Sequence, residues 1–267
     1  MNYKSIFNLL GILLGIFSLS FIPPLVLTFV YSESGTEIFM YSFIFFSILG
    51  TSIWVATRQQ NLPLNISDGF IITTLFWVVL AFAGSIPFYF FDLSISDAIF
   101  ESVSGITTTG ATTIVGLDNL PKSILLYRQL LQWIGGMGLI VLAVAVMPAL
   151  GIGGGQLYKM ELPGSHGNQK LTPKITDSAK ALWKIYVGLT LLCATLYLLS
   201  GMSLFDSVAH SLSTVAGGGF STHDQSIGFF NSALIETVCI FFMLLSAASF
   251  AVHYAAIFGG KPLKYFY

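Results

Sequence analysis

Two stretches rich in glycine and threonine, TTTGATT at residues 107–113 and AGGGFST at residues 216–222, decide how this chain folds. Each follows a short helix-like segment, and each lies between two long apolar segments. A shift of 109 residues superimposes the two regions. The identical pairs are Ser94 and Ser203, Asp97 and Asp206, Ser102 and Ser211, Ser104 and Ser213, Gly110 and Gly219, and Thr113 and Thr222. The sequence therefore predicts a unit of long helix, short helix, loop and long helix that occurs twice.

The composition around these stretches is that of a membrane protein. The 267 residues are 55% hydrophobic and only 9% charged, with a mean hydropathy of +0.82, whereas soluble domains carry about 25% charged residues. So few charges cannot cover a water-soluble globule, which argues against a soluble enzyme, a nucleic-acid-binding protein and a disordered chain. The two cysteines lie in apolar runs, which argues against a disulfide framework or a metal cluster. We expect an all-α integral membrane protein.

Six segments are long and apolar enough to cross a bilayer, a span that needs about 20 residues. They are residues 6–29, 39–57, 70–91, 124–150, 181–199 and 233–258. A signal peptide is the alternative for the first segment, but no small-x-small cleavage site follows it, and Pro23 and Pro24 favour a kinked span. We expect a leading two-helix unit at 1–66, repeats at 67–155 and 181–267, and a cytoplasmic loop at 156–180.

The distribution of basic residues sets the orientation. With the N-terminus in the cytoplasm, every lysine and arginine except Lys122 and Arg128 faces the cytoplasm. Segments 94–119 and 203–231 then lie on the outer side, either as ordinary loops or as re-entrant loops. The repeat favours re-entrant loops, because repeats of this kind are typical of transporters and channels whose pathway lies at the repeat interface.

The repeated stretches offer backbone rather than reactive side chains. Residues 107–113 and 216–222 contain no carboxylate, histidine or cysteine, but each has a glycine that reaches conformations closed to other residues. Rings of backbone carbonyls replace the water shell of an alkali cation in channel filters. We expect Asp97 and Asp206 to be the N-caps of the preceding short helices, whose C-terminal ends would direct partial negative charge at the cation.

Several motifs carry a resemblance to a known family. They are residues 107–113, 120–122 (LPK), 132–138 (QWIGGMG) and 217–224 (GGGFSTHD). Over nearly its whole length the chain resembles the Trk-type potassium uptake proteins of the Trk/Ktr/HKT superfamily, in particular the TrkH/TrkG-type membrane subunit. The resemblance implies a leading two-helix unit and then span–pore-loop–span repeats, related to potassium channels, around one ion path.

The resemblance also implies the site and its partners. K⁺ would be held by the backbone carbonyls of Thr108, Thr109, Gly110, Ala111, Gly217, Gly218, Gly219 and Phe220. Asp97, Asp206 and His210 would support the pore helices. No catalytic residue, bound cofactor or nucleic acid is expected; K⁺ is the transported ion, with Na⁺ or H⁺ coupling left open. The implied partners are a cytoplasmic TrkA-like nucleotide-binding subunit, a second complete transporter unit in a homodimer, and the lipid of the bacterial inner membrane.

One departure from the family is plain. Family members have four repeats, of which the third carries a gating loop and the fourth a basic residue near the filter, whereas this chain shows two. Either it is a fragment of a longer transporter, which we favour, or two chains associate. The alternative functions are a truncated subunit that only assembles with a full-length copy, and a cation-coupled transporter of a small solute. The second alternative would require ionisable or aromatic groups at mid-membrane and broken spans at the repeat interface. The mid-span positions here are nearly uncharged, and the unusual backbone is expected in loops between the spans.

Other candidate sites have simpler explanations. Asp206, His210 and Ser213 have the helical spacing of a nucleophile triad, but the repeat aligns His210 with Glu101, so we expect a pore-helix hydrogen bond instead. The glycines of 135–138 indicate close helix packing, and residues 151–155 a turn rather than a phosphate-binding loop. We expect Glu236 to be solvated. The lysines of 156–180 indicate either the positive-inside signal or a docking surface for a partner.

Overall fold

The structure, a computed structural model, describes residues 3–58, 66–146 and 175–248, together with 252, 253 and 256. All regular secondary structure in these residues is helical, which confirms the all-α prediction. The helices are α1 (Tyr3–Ser18), α2 (Ile22–Val30), α3 (Thr36–Thr57), α4 (Ile66–Phe90), α5 (Ile95–Ile106), α6 (Lys122–Val146), α7 (Ile175–Leu199), α8 (Leu204–Ala216) and α9 (Ala233–Ala247). Short 3₁₀ turns occupy Leu19–Phe21, Leu117–Asn119 and Ser226–Phe230.

The predicted spans correspond to helices, with differences at their ends. In the described residues four helical segments are long and apolar enough to cross a membrane: Tyr3–Val30, Thr36–Thr57, Ser67–Phe90 and Lys180–Leu199. Helix α6 has 25 residues. The prediction of one helix over 233–258 was wrong, because α9 ends at Ala247, where Ala248 takes an extended conformation (φ −74°, ψ 140°). Helix α7 begins at Ile175 rather than at residue 181.

A short 3₁₀ turn interrupts the first span just before its two prolines. The 3₁₀ turn Leu19–Phe21 separates α1 from α2, and Pro23 and Pro24 lie in the first turn of α2. Proline is tolerated there because the first turn of a helix has no intrahelical acceptor for its N–H groups. Helix α1 then packs closely on α3: a Cβ placed on Gly50 would lie 2.6 Å from the backbone nitrogen of Gly15.

The order of helix, short helix, loop and helix occurs twice, as α4–α5–loop–α6 and α7–α8–loop–α9, although α9 has only 15 residues. Helix α5 packs between α4 and α6, and α8 packs on α6, α7 and α9. Helix α6 therefore belongs to the first repeat but also supports the second. Its Tyr127 and Leu131 lie in the apolar core shared with α1, α3, α4 and α5, and its Met137 lies in the core shared with α7, α8 and α9. This shared position brings side chains of α6 to both repeated loops.

Candidate functional site

The two short helices begin in the same way, but not as the sequence predicted. Ser94 and Ser203, not Asp97 and Asp206, are the N-caps, with nearly identical extended backbones (φ −60°, ψ 156° and 157°). The Asp97 N–H donates to Ser94 Oγ (3.2 Å), which donates to Asp97 Oδ2 (2.6 Å). Ser203 and Asp206 repeat this pair of bonds at 3.0 and 2.7 Å. A serine hydroxyl can accept and donate at once, so it caps the helix while the acid at the third position complements the helix dipole.

The loops after the two helices adopt the same unusual backbone. Thr108 and Gly217, which the 109-residue shift aligns, have φ values of 56° and 70°. Gly110 and Gly219, the next aligned pair, both have φ 78°. Left-handed conformations are rare for residues with a Cβ, so their recurrence at both aligned positions shows that the repeat extends to the conformation of each loop.

Matching hydrogen bonds turn each loop away from its helix. The Thr109 N–H donates to the Ser104 carbonyl (2.9 Å), and the aligned Gly218 N–H donates to the Ser213 carbonyl (3.0 Å). In a trans peptide the C=O and N–H groups point in opposite directions, so the carbonyls of Thr108 and Gly217 point away from their helices. Among the residues that the structure describes, no donor binds the carbonyl oxygens of residues 108–111 or 217–220. These oxygens can therefore act as ligands for a cation.

The two loops touch each other at their glycines. A Cβ placed on Gly110 would lie 1.8 Å from the carbonyl oxygen of Gly218. Only glycine fits at position 110, for reasons of both φ and space. The fold thus brings together the two stretches that the sequence singled out.

A buried ion pair between α5 and α6, which the sequence did not predict, makes hydrogen bonds to both loops. Glu101 on α5 and Arg128 on α6 are both 0% exposed, and Arg128 Nε lies 2.6 Å from Glu101 Oε1. The Thr112 hydroxyl of the first loop donates to Glu101 Oε2 (2.9 Å) and accepts from Arg128 Nη2 (3.0 Å). Arg128 Nη1 also donates to the Ser221 carbonyl of the second loop (2.9 Å). One guanidinium therefore joins the loops of both repeats.

His210 is the counterpart of Glu101 in the second repeat. Its Nε2 lies 2.9 Å from Ser221 Oγ, and its Nδ1 lies 2.9 Å from the Asp206 carbonyl, which confirms the predicted pore-helix hydrogen bond. Ser221 aligns with Thr112. Glu101 of α5 and His210 of α8, the two pore helices, therefore each hydrogen-bond a hydroxyl in their own loop, 11 residues further along the chain. Ser213 Oγ donates to the His210 carbonyl instead of its ring, so these residues do not form a nucleophile triad.

Helix α6 makes a further contact with the second loop through Gln132, another residue that the prediction did not include. Its Oε1 accepts a hydrogen bond from the Phe220 N–H (3.0 Å), and its side chain is fully buried. The Phe220 ring is also buried and lies under the Arg128 guanidinium, whose carbon is 4.3 Å from the ring centre. Phe220 can thus offer only its backbone to an ion.

Acidic side chains join the C-terminal ends of the two loops. Asp224 Oδ1 accepts the N–H groups of Gly116 and Leu117, both at 3.0 Å. Asp118 accepts from the His223 ring and from the Asp224 N–H. The hydrogen bond from His223 lowers the pKa of the Asp118 carboxyl below its ordinary value of 3.8. The C-terminal ends of the loops are therefore joined by charge-assisted hydrogen bonds.

The predicted packing role of the α6 glycines is confirmed. A Cβ on any of them would overlap a neighbouring helix. The contacts are Gly135 with the Ile106 carbonyl oxygen (1.9 Å), Gly136 with the Tyr186 hydroxyl (2.7 Å), and Gly138 with the Trp77 ring (2.9 Å). Glu236 is exposed, as expected. The predicted turn at 151–155 and residues 156–174 of the predicted cytoplasmic loop lie outside the described residues.

Comparison with known proteins places this architecture in a family. Residues 35–261 match the TrkH family model, described as "Cation transport protein". The chain is 48% identical, over its full length, to 56% of the Trk system potassium uptake protein TrkH of Vibrio parahaemolyticus. It is 44% identical, over 96% of its length, to 53% of TrkG of Escherichia coli strain K12. It therefore spans about half the length of the curated relatives it matches.

A solved structure agrees with the fold. The crystal structure of the potassium transporter TrkH from Vibrio parahaemolyticus superimposes with a TM-score of 0.85 at 45% identity, covering 100% of this chain and 55% of that one. The apolar helices and these matches together identify the chain as an integral membrane protein that belongs to the TrkH family of cation transport proteins.

Proposed function

We propose that this protein takes part in potassium uptake, and that its two repeated loops supply carbonyl oxygens to the ion path. The observation that carries the proposal is the recurrence of φ 78° at Gly110 and Gly219, in loops that touch each other. Carbonyl oxygens without internal donors can replace the hydration shell of K⁺. The relatives named above as potassium uptake proteins support this choice of ion.

The ligands in this proposal are backbone groups. They are the carbonyls of Thr108, Thr109, Gly110, Ala111, Gly217, Gly218, Gly219 and Phe220. Asp97 and Asp206 do not bind the ion; each accepts a hydrogen bond from the serine that caps its short helix, α5 or α8. His210 likewise does not bind the ion; its ring hydrogen-bonds to Ser221, which directly follows the ligands of the second loop.

We further propose that other repeats complete the path. A ring of carbonyls in a potassium filter takes about four strands, and this chain contributes two. Further loops would come from a longer form of the chain or from a second copy. In this proposal the complete unit forms a homodimer and binds a cytoplasmic TrkA-like nucleotide-binding subunit. It lies in the bacterial inner membrane with its N-terminus in the cytoplasm.

Glycine substitutions in the intact transporter test the ion path. In Gly219→Ala there is space for the methyl group, since no atom lies within 4 Å of its position, but the left-handed backbone is strained by about 1–2 kcal/mol. The matched control is Gly228→Ala, which adds the same methyl group in open space without a left-handed backbone. In cells that lack other potassium uptake systems, we expect Gly219→Ala to slow uptake or admit Na⁺, while Gly228→Ala behaves as wild type. Wild-type uptake and selectivity in both Gly219→Ala and Gly110→Ala would overturn the proposal.

The orientation is tested separately by labelling. Single cysteines are introduced as Asn119→Cys and Asn168→Cys after Cys193 and Cys239 have been replaced by serine. With an impermeant thiol reagent on intact cells, we expect labelling of Asn119→Cys and protection of Asn168→Cys. The reverse pattern would show that the N-terminus is outside.

A further inference from the structure

Gln132 binds the backbone of the second loop at the peptide that follows its left-handed glycine. The acceptor is Gln132 Oε1 and the donor is the Phe220 N–H, at 3.0 Å. The same side chain fills the space beside Gly218, where an added Cβ would lie 2.4 Å from the Gln132 amide carbon. Gln132 Nε2 lies 3.7 Å from the Cβ position of Gly110 in the other loop. The amide group of Gln132 thus contacts Gly218 of the second loop and lies close to Gly110 of the first loop.

The hydrogen bond has a consequence for the carbonyl on the other side of the peptide. The Phe220 N–H and the Gly219 carbonyl belong to one trans peptide unit, in which they point in opposite directions. Because the N–H points at α6, the carbonyl of Gly219 points away from α6. Gly219 is exposed, and no atom lies within 4 Å of its Cβ position. The carbonyl therefore belongs to the part of the loop that is open to a ligand.

We propose that Gln132 is a positioning residue that directs the Gly219 carbonyl into the ion path and so favours K⁺ over Na⁺. The inference rests on the proposed function of these loops. Without the bond, the peptide between Gly219 and Phe220 can rotate, because a glycine on one side of it permits many backbone conformations. A carbonyl that tilts freely can approach the smaller Na⁺, whereas a fixed one keeps the spacing that suits K⁺.

Within the described residues, the contact between an α6 glutamine and a loop N–H occurs in the second repeat and not in the first. The residue aligned with Phe220 is Ala111, and among the described residues no side chain accepts a hydrogen bond from its N–H. The residue aligned with Gln132 is Phe241, which is exposed. The first loop instead has the carbonyl of Gly218 against Gly110. The two loops therefore hold their aligned glycines by different means, and loss of Gln132 should disturb the second loop first.

A matched pair of substitutions on one helix tests the proposal. Gln132→Met removes the acceptor and keeps an unbranched side chain of similar length. Gln129→Met makes the same change at a fully buried glutamine of α6 whose side-chain atoms have no hydrogen-bond partner within the described part of the chain. Gln132→Leu also removes the acceptor, with a shorter apolar side chain. Each variant is placed in the intact transporter in cells, and Rb⁺ and Na⁺ uptake are measured per amount of folded protein, which is quantified by size-exclusion chromatography.

We expect Gln132→Met to lower the ratio of Rb⁺ to Na⁺ uptake by about fivefold to tenfold, the factor that one net hydrogen bond gives. Gln129→Met should stay within about twofold of wild type, whereas Gln132→Leu should lower the ratio as Gln132→Met does. A purely structural role would lower the amount of folded protein and leave the ratio unchanged. An unchanged ratio in Gln132→Met, or equal losses in both methionine variants, would overturn the proposal.

Two further results keep the test decisive. If Gln132→Met does not reach the membrane, Gln132→Leu carries the test: a lowered ratio supports the acceptor role, and a wild-type ratio overturns it. Gly219→Ala separates this inference from the proposed function. If Gly219→Ala alters selectivity and Gln132→Met does not, only the role of Gln132 fails. If Gly219→Ala and Gly110→Ala also keep wild-type uptake and selectivity, the loops themselves are not the ion path.

Discussion

Replacing Arg128 with methionine removes the cation from an ion pair in which both side chains are 0% exposed. Among the described residues, the change leaves the buried Glu101 carboxylate with the Thr112 hydroxyl and a long contact to the Thr113 N–H as its partners. It also leaves the Ser221 carbonyl without its donor. Arg128→Met therefore measures how much the guanidinium of Arg128 contributes to the stability of both loops.

The expected loss follows from the burial of the pair. Removing one member of a buried ion pair costs about 3–5 kcal/mol, because the remaining charge is left uncompensated. We expect a value near the upper end, since the carbonyl of Ser221 loses its partner at the same time. Total stabilities of about 5–15 kcal/mol leave room for the variant to fold. The double variant Glu101→Gln/Arg128→Met removes the stranded charge and should recover at least about 2 kcal/mol of that loss.

The assay is denaturant unfolding of the four proteins of this double-mutant cycle in detergent micelles. Glu236→Gln, at an exposed carboxylate, is the control and should stay within about 0.5 kcal/mol of wild type. The reasoning is refuted if Arg128→Met costs less than about 1 kcal/mol. It is also refuted if the effects of the two single substitutions simply add, because independent effects would mean that the pair is not coupled. The double variant should still transport poorly, since the Ser221 carbonyl remains without its donor.

Three smaller perturbations test other contacts. Gly135→Ala would place a methyl group 1.9 Å from the Ile106 carbonyl, and we expect a loss of about 1–3 kcal/mol; a wild-type melting temperature would contradict the close packing of α5 on α6. Ser94→Ala should cost about 1 kcal/mol and speed amide exchange in the first turn of α5, and unchanged exchange would argue against the cap. Because the pKa of Asp118 is lowered by its bond to His223, its contribution to stability is present above pH 3.8 and lost as pH falls through the lowered value. His223→Phe should raise the pKa of Asp118 toward 3.8 in an NMR titration, and an unshifted titration would show that the bond has no effect.

The repeat could be predicted because each copy is one continuous stretch of the sequence. A 109-residue shift matches capping serines, pore-helix residues and glycines, and the structure shows the same conformation at the aligned positions. Long apolar runs likewise predicted the helices, although not where α9 ends. The N-caps were assigned to the wrong member of a Ser-x-x-Asp pattern. Both residue types are favoured caps, and only the backbone shows that Ser94 and Ser203 are the extended ones.

The residues behind the loops could not be predicted in the same way. Glu101 and Arg128 are 27 positions apart, and Gln132 and Phe220 are 88 apart, so no helical or strand spacing connects them. Their contacts form because α6 packs on both α5 and α8, and this helix packing is part of the tertiary structure, which local sequence patterns do not specify. The one available signal was the presence of a charged residue within an apolar segment, since membrane arginines are rarely without a partner.

The positive-inside pattern contained that signal in its two exceptions. Lys122 and Arg128 are the basic residues that the predicted orientation places on the outer side, and each has a specific structural role. Arg128 lies in the buried ion pair, and Lys122 Nζ lies 3.9 Å from the ring centre of Tyr31 and 5.4 Å from that of Phe205, within the range of cation–π attraction. Basic residues that only mark the cytoplasmic side need no partner in the protein, because water and lipid headgroups solvate them. Both basic residues that the predicted orientation places on the outer side therefore make specific contacts within the fold, so the exceptions to the positive-inside pattern coincide with structural contacts of α6.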